Sequence, residues 1–225
     1  MASAVFSISK AGENYLQKKF PDMKDKFFTS YLGVEDRGEG TFNEKEVFTM
    51  VSCSGMSENK RVSVMAEVFS EFKFPARWIH FGDGPEMEKT KSIVAKLPAH
   101  LRAELRGYTA NEKVMDYYKN NSVNLFINLS LMEGIPVSLM EAISFGIPVL
   151  ATNVYGNPEL ANKETGFLIE ENFRINEVAV KISDFAGNID SQKSLRISSR
   201  KFCLETFNNE KNFSAFSAEI LKWTN

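Results

Sequence analysis

Short apolar runs alternate along this chain with longer segments whose apolar residues recur at helical spacing. VFSIS (5–9) reads as a strand, KAGENYLQKKF (10–20) as a helix, and KFFTSYLGV (26–34) as strand-like again. EDRGEGTFNEKE (35–46) is polar, carries Gly38 and Gly40, and reads as a linker or loop. From residue 47 the alternation becomes regular. Strands are predicted at 47–54, 76–82, 101–108, 123–130, 147–152 and 166–169. Helices are predicted at 58–72, 85–97, 111–120 and 136–146, and most of 174–223 reads as helical. Pro85 and Pro136 fall at helix starts, where a missing N–H is harmless, and Gly146 falls at a helix end.

That alternation predicts an α/β fold: a Rossmann-like parallel sheet with helices on both faces. In such folds ligands bind outside the carboxyl ends of the strands, where the strand-to-helix loops gather. The loops at 54–60, 82–86, 107–110 and 131–135 all fall there, so candidate chemistry is sought on them.

The most informative stretch is EGIPVSLMEAISFGIPVLATNVYGNPEL (133–160). Between Gly134 and Pro158 the one charged residue is Glu141, flanked by Leu139, Met140, Ala142 and Ile143. A buried carboxylate is paired, hydrogen-bonded or protonated. Glu133 precedes it on the loop, and Glu141 lies five residues into the helix, about 7.5 Å further along its axis. Val137, Ser138 and Glu141 share one helix face. The free N–H groups at the helix start favour a phosphate or sugar oxygen. Two carboxylates flanking them suit a ligand with hydroxyls at both ends and phosphates between. The alternative has Glu141 paired with a core Lys or Arg and Glu133 solvated.

Composition narrows the classes. A formal net charge of −2 over 225 residues argues against a nucleic-acid partner. The two cysteines, Cys53 and Cys203, are far apart and suit reduced thiols in a cytoplasmic setting. With two histidines and no Cys/His cluster, no metal site is expected. No run of 18 apolar residues suggests a membrane span, and the first residues do not resemble a signal peptide.

Taken in order, these motifs resemble one family. EGIPVSLMEAISFGIPVLAT is similar to the E-x7-E signature of retaining glycosyltransferases with the GT-B fold, and GNPEL and TGFLIEEN resemble its continuation. RWIHFGDGPEMEKT and LRGYTANEKVMDYYKNNSVNLFINLS resemble the strand–helix segments that precede it. The resemblance covers roughly residues 47–170. It points to the C-terminal, donor-binding half of a glycosyl transferases group 1 protein (glycosyltransferase family four).

The resemblance implies roles by position. Glu133 would bind hydroxyls of the transferred sugar, and Lys60 would neutralise the leaving diphosphate; these are the catalytic candidates. Gly134, Ile135, Pro136 and Val137 would bring N–H groups to sugar and diphosphate oxygens, with Pro136 unable to donate. Glu141 would accept from the ribose hydroxyls. Gly107, Tyr108 and Thr109 occupy the loop that meets the nucleotide base. The family usually carries an Arg five residues before the Lys; here that position is Gly55, with Arg61 a possible substitute. Lys60 and Arg61 as a solvated first helical turn are the plain alternative. FGDGPE (81–86) is read as a tight turn, and Trp78, Phe81, Tyr117 and Phe126 as core.

The implied reaction is transfer of a sugar from a nucleoside-diphosphate sugar to an acceptor hydroxyl with retention, in polysaccharide or glycoconjugate synthesis. It needs no cofactor and no metal, since the nucleotide sugar is a substrate. The implied division is 1–45 as interdomain segment or end of a preceding domain, 46–188 as the nucleotide-sugar-binding domain, and 189–225 as closing helices. The implied partners are the donor and an N-terminal acceptor domain, with any peripheral membrane contact made through that half. Alone, the segment would bind donor and transfer nothing. A nucleotide-sugar epimerase and a non-catalytic binding module are the competing classes.

Overall fold

The computed structural model describes residues 3–223. Residues 1, 2, 224 and 225, at the outer ends of the expected segments, lie outside it. The main sheet has six parallel strands: β3 (Phe48–Cys53), β4 (Ala76–Phe81), β5 (Leu101–Leu105), β6 (Leu125–Asn128), β7 (Val149–Thr152) and β8 (Gly166–Ile169). Their spatial order is β5-β4-β3-β6-β7-β8. The expected Rossmann-like sheet is therefore present, with each expected strand from residue 47 onward in place.

The strands are nearly continuous apolar runs because both faces are covered. Val51, Ile79, Phe126 and Val149 pack on one face with residues of α4 (Asn111–Asn120), α5 (Val137–Ser144) and α7 (Ile189–Thr206). Met50, Trp78, Leu125 and Leu150 pack on the other with residues of α2 (Val62–Ser70) and α6 (Ile175–Ala186), and α3 (Met87–Val94) lies against that cluster. Trp78, Phe81, Tyr117 and Phe126 are buried, as expected of core residues.

Strand order locates the cleft. The chain runs outward from β3 to β4 and β5, then crosses back so that β6 pairs with β3 on its other side. The switch point lies between β3 and β6, and the loops leaving their carboxyl ends part there. Those loops carry Lys60 and Glu133.

Among the boundaries that differ from the sequence reading, three change the picture. The helix expected over 58–72 is interrupted: Glu58–Lys60 form a 3-10 turn, Arg61 adopts φ 52° and ψ 38°, and α2 starts at Val62. The strand expected over 26–34 shrinks to β2 (Phe27–Thr29), preceded by a 3-10 run at Pro21–Lys26. Pro136 is the extended cap of α5 rather than its first residue.

The N-terminal segment forms its own unit. β1 (Val5–Ser7), α1 (Lys10–Lys19) and β2 make a two-stranded parallel sheet with a helical crossover. α8 (Asn209–Leu221) returns to cover it, with Phe216 edge-on to Phe6 at 5.3 Å. The carboxylate of Glu159, after β7, clasps this unit. It accepts from the Lys10 and Ala11 N–H groups at the start of α1, at 2.8 and 2.9 Å, and from Tyr31 Oη at 2.8 Å. An acceptor there satisfies two orphan donors and favours the positive end of the helix dipole.

The polar segment 35–46 is irregular, as expected, yet pinned. Gly40 N donates to Phe145 O and Thr41 N to Lys119 O, at the ends of α5 and α4. The buried Arg196 guanidinium donates to Val123 O and Gly40 O at 2.8 and 3.0 Å. Arg37 forms a two-pronged ion pair with Glu112 in the first turn of α4.

Candidate functional site at the carboxyl ends of the sheet

Glu133 is not solvated. Its side chain is 10% exposed, and its Oε1 accepts from Lys60 Nζ at 2.6 Å, Ser130 Oγ at 2.7 Å and Asn128 Nδ2 at 3.1 Å. All three bonds fall on one oxygen. The two loops are also tied through their backbones: Leu131 N donates to Asn59 O at 2.9 Å, and Asn59 Nδ2 to Met132 O at 3.1 Å. Lys60 reaches across the switch point because the 3-10 turn projects it there before α2 begins. The plain alternative, a solvated first helical turn, thus fails for Lys60.

Arg61 goes elsewhere. Its guanidinium lies 4.6 Å from the Phe173 ring centre and donates to Glu171 O at 3.2 Å, beyond β8. Burial holds its pKa below the usual value. Gly55 stays exposed, and a Cβ there would meet Asp83 O at 3.8 Å, ordinary contact distance. Arg61 therefore does not take the place of the expected Arg.

The start of α5 is open. No side chain caps it, and a Cβ on Gly134 would meet nothing within 4 Å. Ile135 and Pro136 are buried, so they bring backbone alone to the site, while Val137 is 44% exposed. Behind this turn, Gly156 is pressed against it: its N donates to Glu133 O at 3.3 Å, and a Cβ there would fall 1.8 Å from Gly134 O. A side chain at 156 would displace the Gly134 turn.

Glu141 is half-buried and has a neutral partner. Asn111 Nδ2, at the start of α4, donates to its Oε1 at 2.7 Å. Burial raises its pKa, against smaller opposing effects of the Asn111 bond and the Arg37 charge. Among the described residues no ion pair reaches it, so the alternative of a core cation fails. Below it Cys53 is pushed up to about 11, by burial and by the Glu141 charge. Tyr118, in the same core, is raised by burial as well. The base-loop candidates lie on a third carboxyl-end loop. Gly107 adopts φ 65° and accepts from Gly82 N, Thr109 Oγ1 donates to Gly107 O, and Tyr108 is 86% exposed.

The sequence reading missed Asn128, Ser130, Asn111 and Asn59. The first two had a signal: polar residues ending an otherwise apolar strand, in INLS (127–130), are costly unless they hold something. Asn111 and Asn59 had none, because their partners come from distant loops.

Known proteins share the fold and sequence pattern of this chain. The matched part of the chain spans less than half the length of these curated relatives. It is 27% identical over 170 residues to WcaL of Salmonella typhimurium, named as a colanic acid biosynthesis glycosyltransferase, covering 72% of this chain and 42% of that protein. It is 28% identical over 162 residues to the GtfA subunit of the UDP-N-acetylglucosamine–peptide N-acetylglucosaminyltransferase of Streptococcus agalactiae, covering 68% and 30%. The fold matches Anabaena HepE, crystallised in complex with UDP, with TM-score 0.82 at 16% identity over 99% of this chain and 64% of that one. It also matches S. aureus TarM, crystallised with UDP among its ligands, with TM-score 0.80 at 20% identity over 96% and 43%. The sequence profile described as Glycosyl transferases group 1 matches residues 35–202, and this chain, one half of a GT-B fold, belongs to that family.

Proposed function

We propose that this chain binds the nucleoside-diphosphate sugar donor of a retaining glycosyltransferase, with UDP as the nucleotide. The observation that carries the reading is the spacing of charge along the α5 start. Lys60 and Glu133 lie at one side of an uncapped helix N-terminus, and Glu141, held by a neutral amide, lies further along the helix. A diphosphate suits the helix N–H groups and the Lys60 ammonium. Sugar hydroxyls suit Glu133, whose Oε2 takes none of its three protein bonds, and ribose hydroxyls suit Glu141. HepE, of the same fold, supports the choice of UDP.

The chemistry is leaving-group stabilisation. As the bond between the sugar's anomeric carbon and the diphosphate oxygen breaks, Lys60 and the α5 dipole stabilise the charge that collects on the diphosphate. Residues 46–188 form the donor domain and 1–45 the junction with a preceding acceptor domain, closed by the helices from 189. That acceptor domain supplies the opposite wall of the cleft and the polysaccharide or glycoconjugate hydroxyl. The absence of a cation at position 55 favours a second reading, donor binding without transfer.

Calorimetry with UDP, GDP, ADP and dTDP tests the site. UDP is expected to bind weakly and better than the others, with one cleft wall contributed by this chain. No binding of any nucleotide at millimolar concentration would end the donor-site reading. Release of UDP from a UDP-sugar in the presence of glycan acceptors separates transfer from binding alone.

A further inference from the structure

Tyr155 occupies a backbone position that disfavours a side chain. Its φ is 42°, in the left-handed region that suits glycine. Its side chain is 62% exposed, so burial does not offset the strain. Such conformations persist where the surroundings over-determine them, and they cluster at functional sites. Here the surroundings do so. Gly156 is jammed against Gly134 O, and Asn157 is fully buried with Nδ2 donating to Thr152 O at 2.9 Å. Tyr155 is thereby fixed one residue from the contact with the Glu133–Gly134 turn.

A pyranose has two kinds of surface. Its rim of hydroxyls needs hydrogen-bonding groups, and its C–H face is apolar. Glu133 provides for the rim. An exposed aromatic ring, large and amphipathic, provides for the face.

We propose that Tyr155 is a sugar-binding residue whose ring stacks on the C–H face of the donor's pyranose and helps to select the transferred sugar. This rests on the donor-site reading above. The strained backbone of Tyr155 adjoins, through Gly156, the turn that carries Glu133, so apolar and polar recognition of one sugar act from adjoining loops.

The strain supplies a clean test. Tyr155→Gly relieves the backbone, so its melting temperature is expected to equal or exceed that of the wild type. Calorimetry then compares UDP with UDP-glucose, UDP-galactose and UDP-N-acetylglucosamine. The Gly variant is expected to keep its UDP affinity within about twofold and to lose roughly five- to tenfold for the preferred UDP-sugar. Tyr155→Phe, which keeps the ring, is expected to retain both. Unchanged UDP-sugar affinity in the Gly variant overturns the proposal while leaving the UDP site standing. Equal losses for UDP and UDP-sugar overturn it too, since they would make Tyr155 a support of the loop. A wild type that binds no nucleotide overturns this proposal together with the donor-site reading.

Discussion

Lys60 and Glu133 stand 73 residues apart in the chain, and Lys60 Nζ lies 2.6 Å from Glu133 Oε1 across the switch point of the sheet. The two groups assigned to sugar and diphosphate therefore neutralise each other in the free protein. Under the proposed donor binding, a diphosphate would compete for the ammonium and sugar hydroxyls would take its place on the carboxylate.

Removing one partner of the pair should expose the coupling. Lys60→Ala leaves the Glu133 carboxylate with two neutral donors, and a cost of about 2 kcal/mol in stability is expected, below that of a fully buried pair because Lys60 is partly exposed. Glu133→Gln in the same chain should recover much of the loss. Denaturant unfolding of the two single variants and the double variant measures the coupling. Strict additivity would mean that the pair does not act as one unit. In nucleotide binding, Lys60→Ala should weaken UDP far more than uridine.

Glu141 should behave in the opposite way. Among the described residues its one side-chain partner is the Asn111 amide, and burial already raises its pKa. Glu141→Gln keeps the shape and removes a desolvated charge, so thermal stability is expected to hold or rise slightly. Affinity for UDP should fall by about 1–3 kcal/mol through loss of charge-assisted bonds to the ribose. A large drop in the melting temperature of the free protein, with unchanged stabilisation by UDP, would show that Glu141 is a structural residue.

Position 55 has room for a cation. A Cβ there meets nothing closer than Asp83 O at 3.8 Å, and Gly55 is exposed without a positive φ. Gly55→Arg is expected to change stability by less than about 0.5 kcal/mol, as surface substitutions do. It should tighten UDP binding by roughly 1–2 kcal/mol if the guanidinium reaches the diphosphate. Calorimetry with UDP and uridine checks this: equal gains for both would place the new cation away from the phosphates.

His80 gives the fold an acid-sensitive point. It is fully buried, and burial pushes its pKa down to about 4. Trp78 Nε1 donates to Ser52 Oγ at 3.0 Å, and Ser52 Oγ shares a hydrogen bond with His80 Nδ1 at 2.8 Å. A second proton on the ring would place a charge in this buried site. The unfolded chain takes up the proton near the ordinary pKa of about 6.5. The stabilisation is thus complete above about pH 6.5 and is lost as pH falls toward the folded value of about 4. A loss of up to about 3 kcal/mol is expected across that window. Urea unfolding from pH 7 to 4 should show the slope, and His80→Phe should flatten it.

The sequence by itself determined the layering of this protein. Apolar runs such as FTMVSC (48–53) and LFIN (125–128), separated by helix-period segments, have few ways to bury themselves other than in a parallel sheet covered on both faces. The E-x7-E stretch was legible too, because a lone carboxylate on a helix that buries Leu139, Met140, Ala142 and Ile143 needs a reason. Tertiary structure decided which groups meet. Lys60 joins Glu133, Asn111 joins Glu141, and Arg61 turns to Phe173, because strand order brings the β3 and β6 loops together while the left-handed Arg61 breaks the helix that spacing alone predicted. The clasp of Glu159 on α1 and the strain at Tyr155 have no local signature either. Local patterns report which face of an element is buried. Contacts between loops depend on how the strands are ordered, which no short window of sequence encodes.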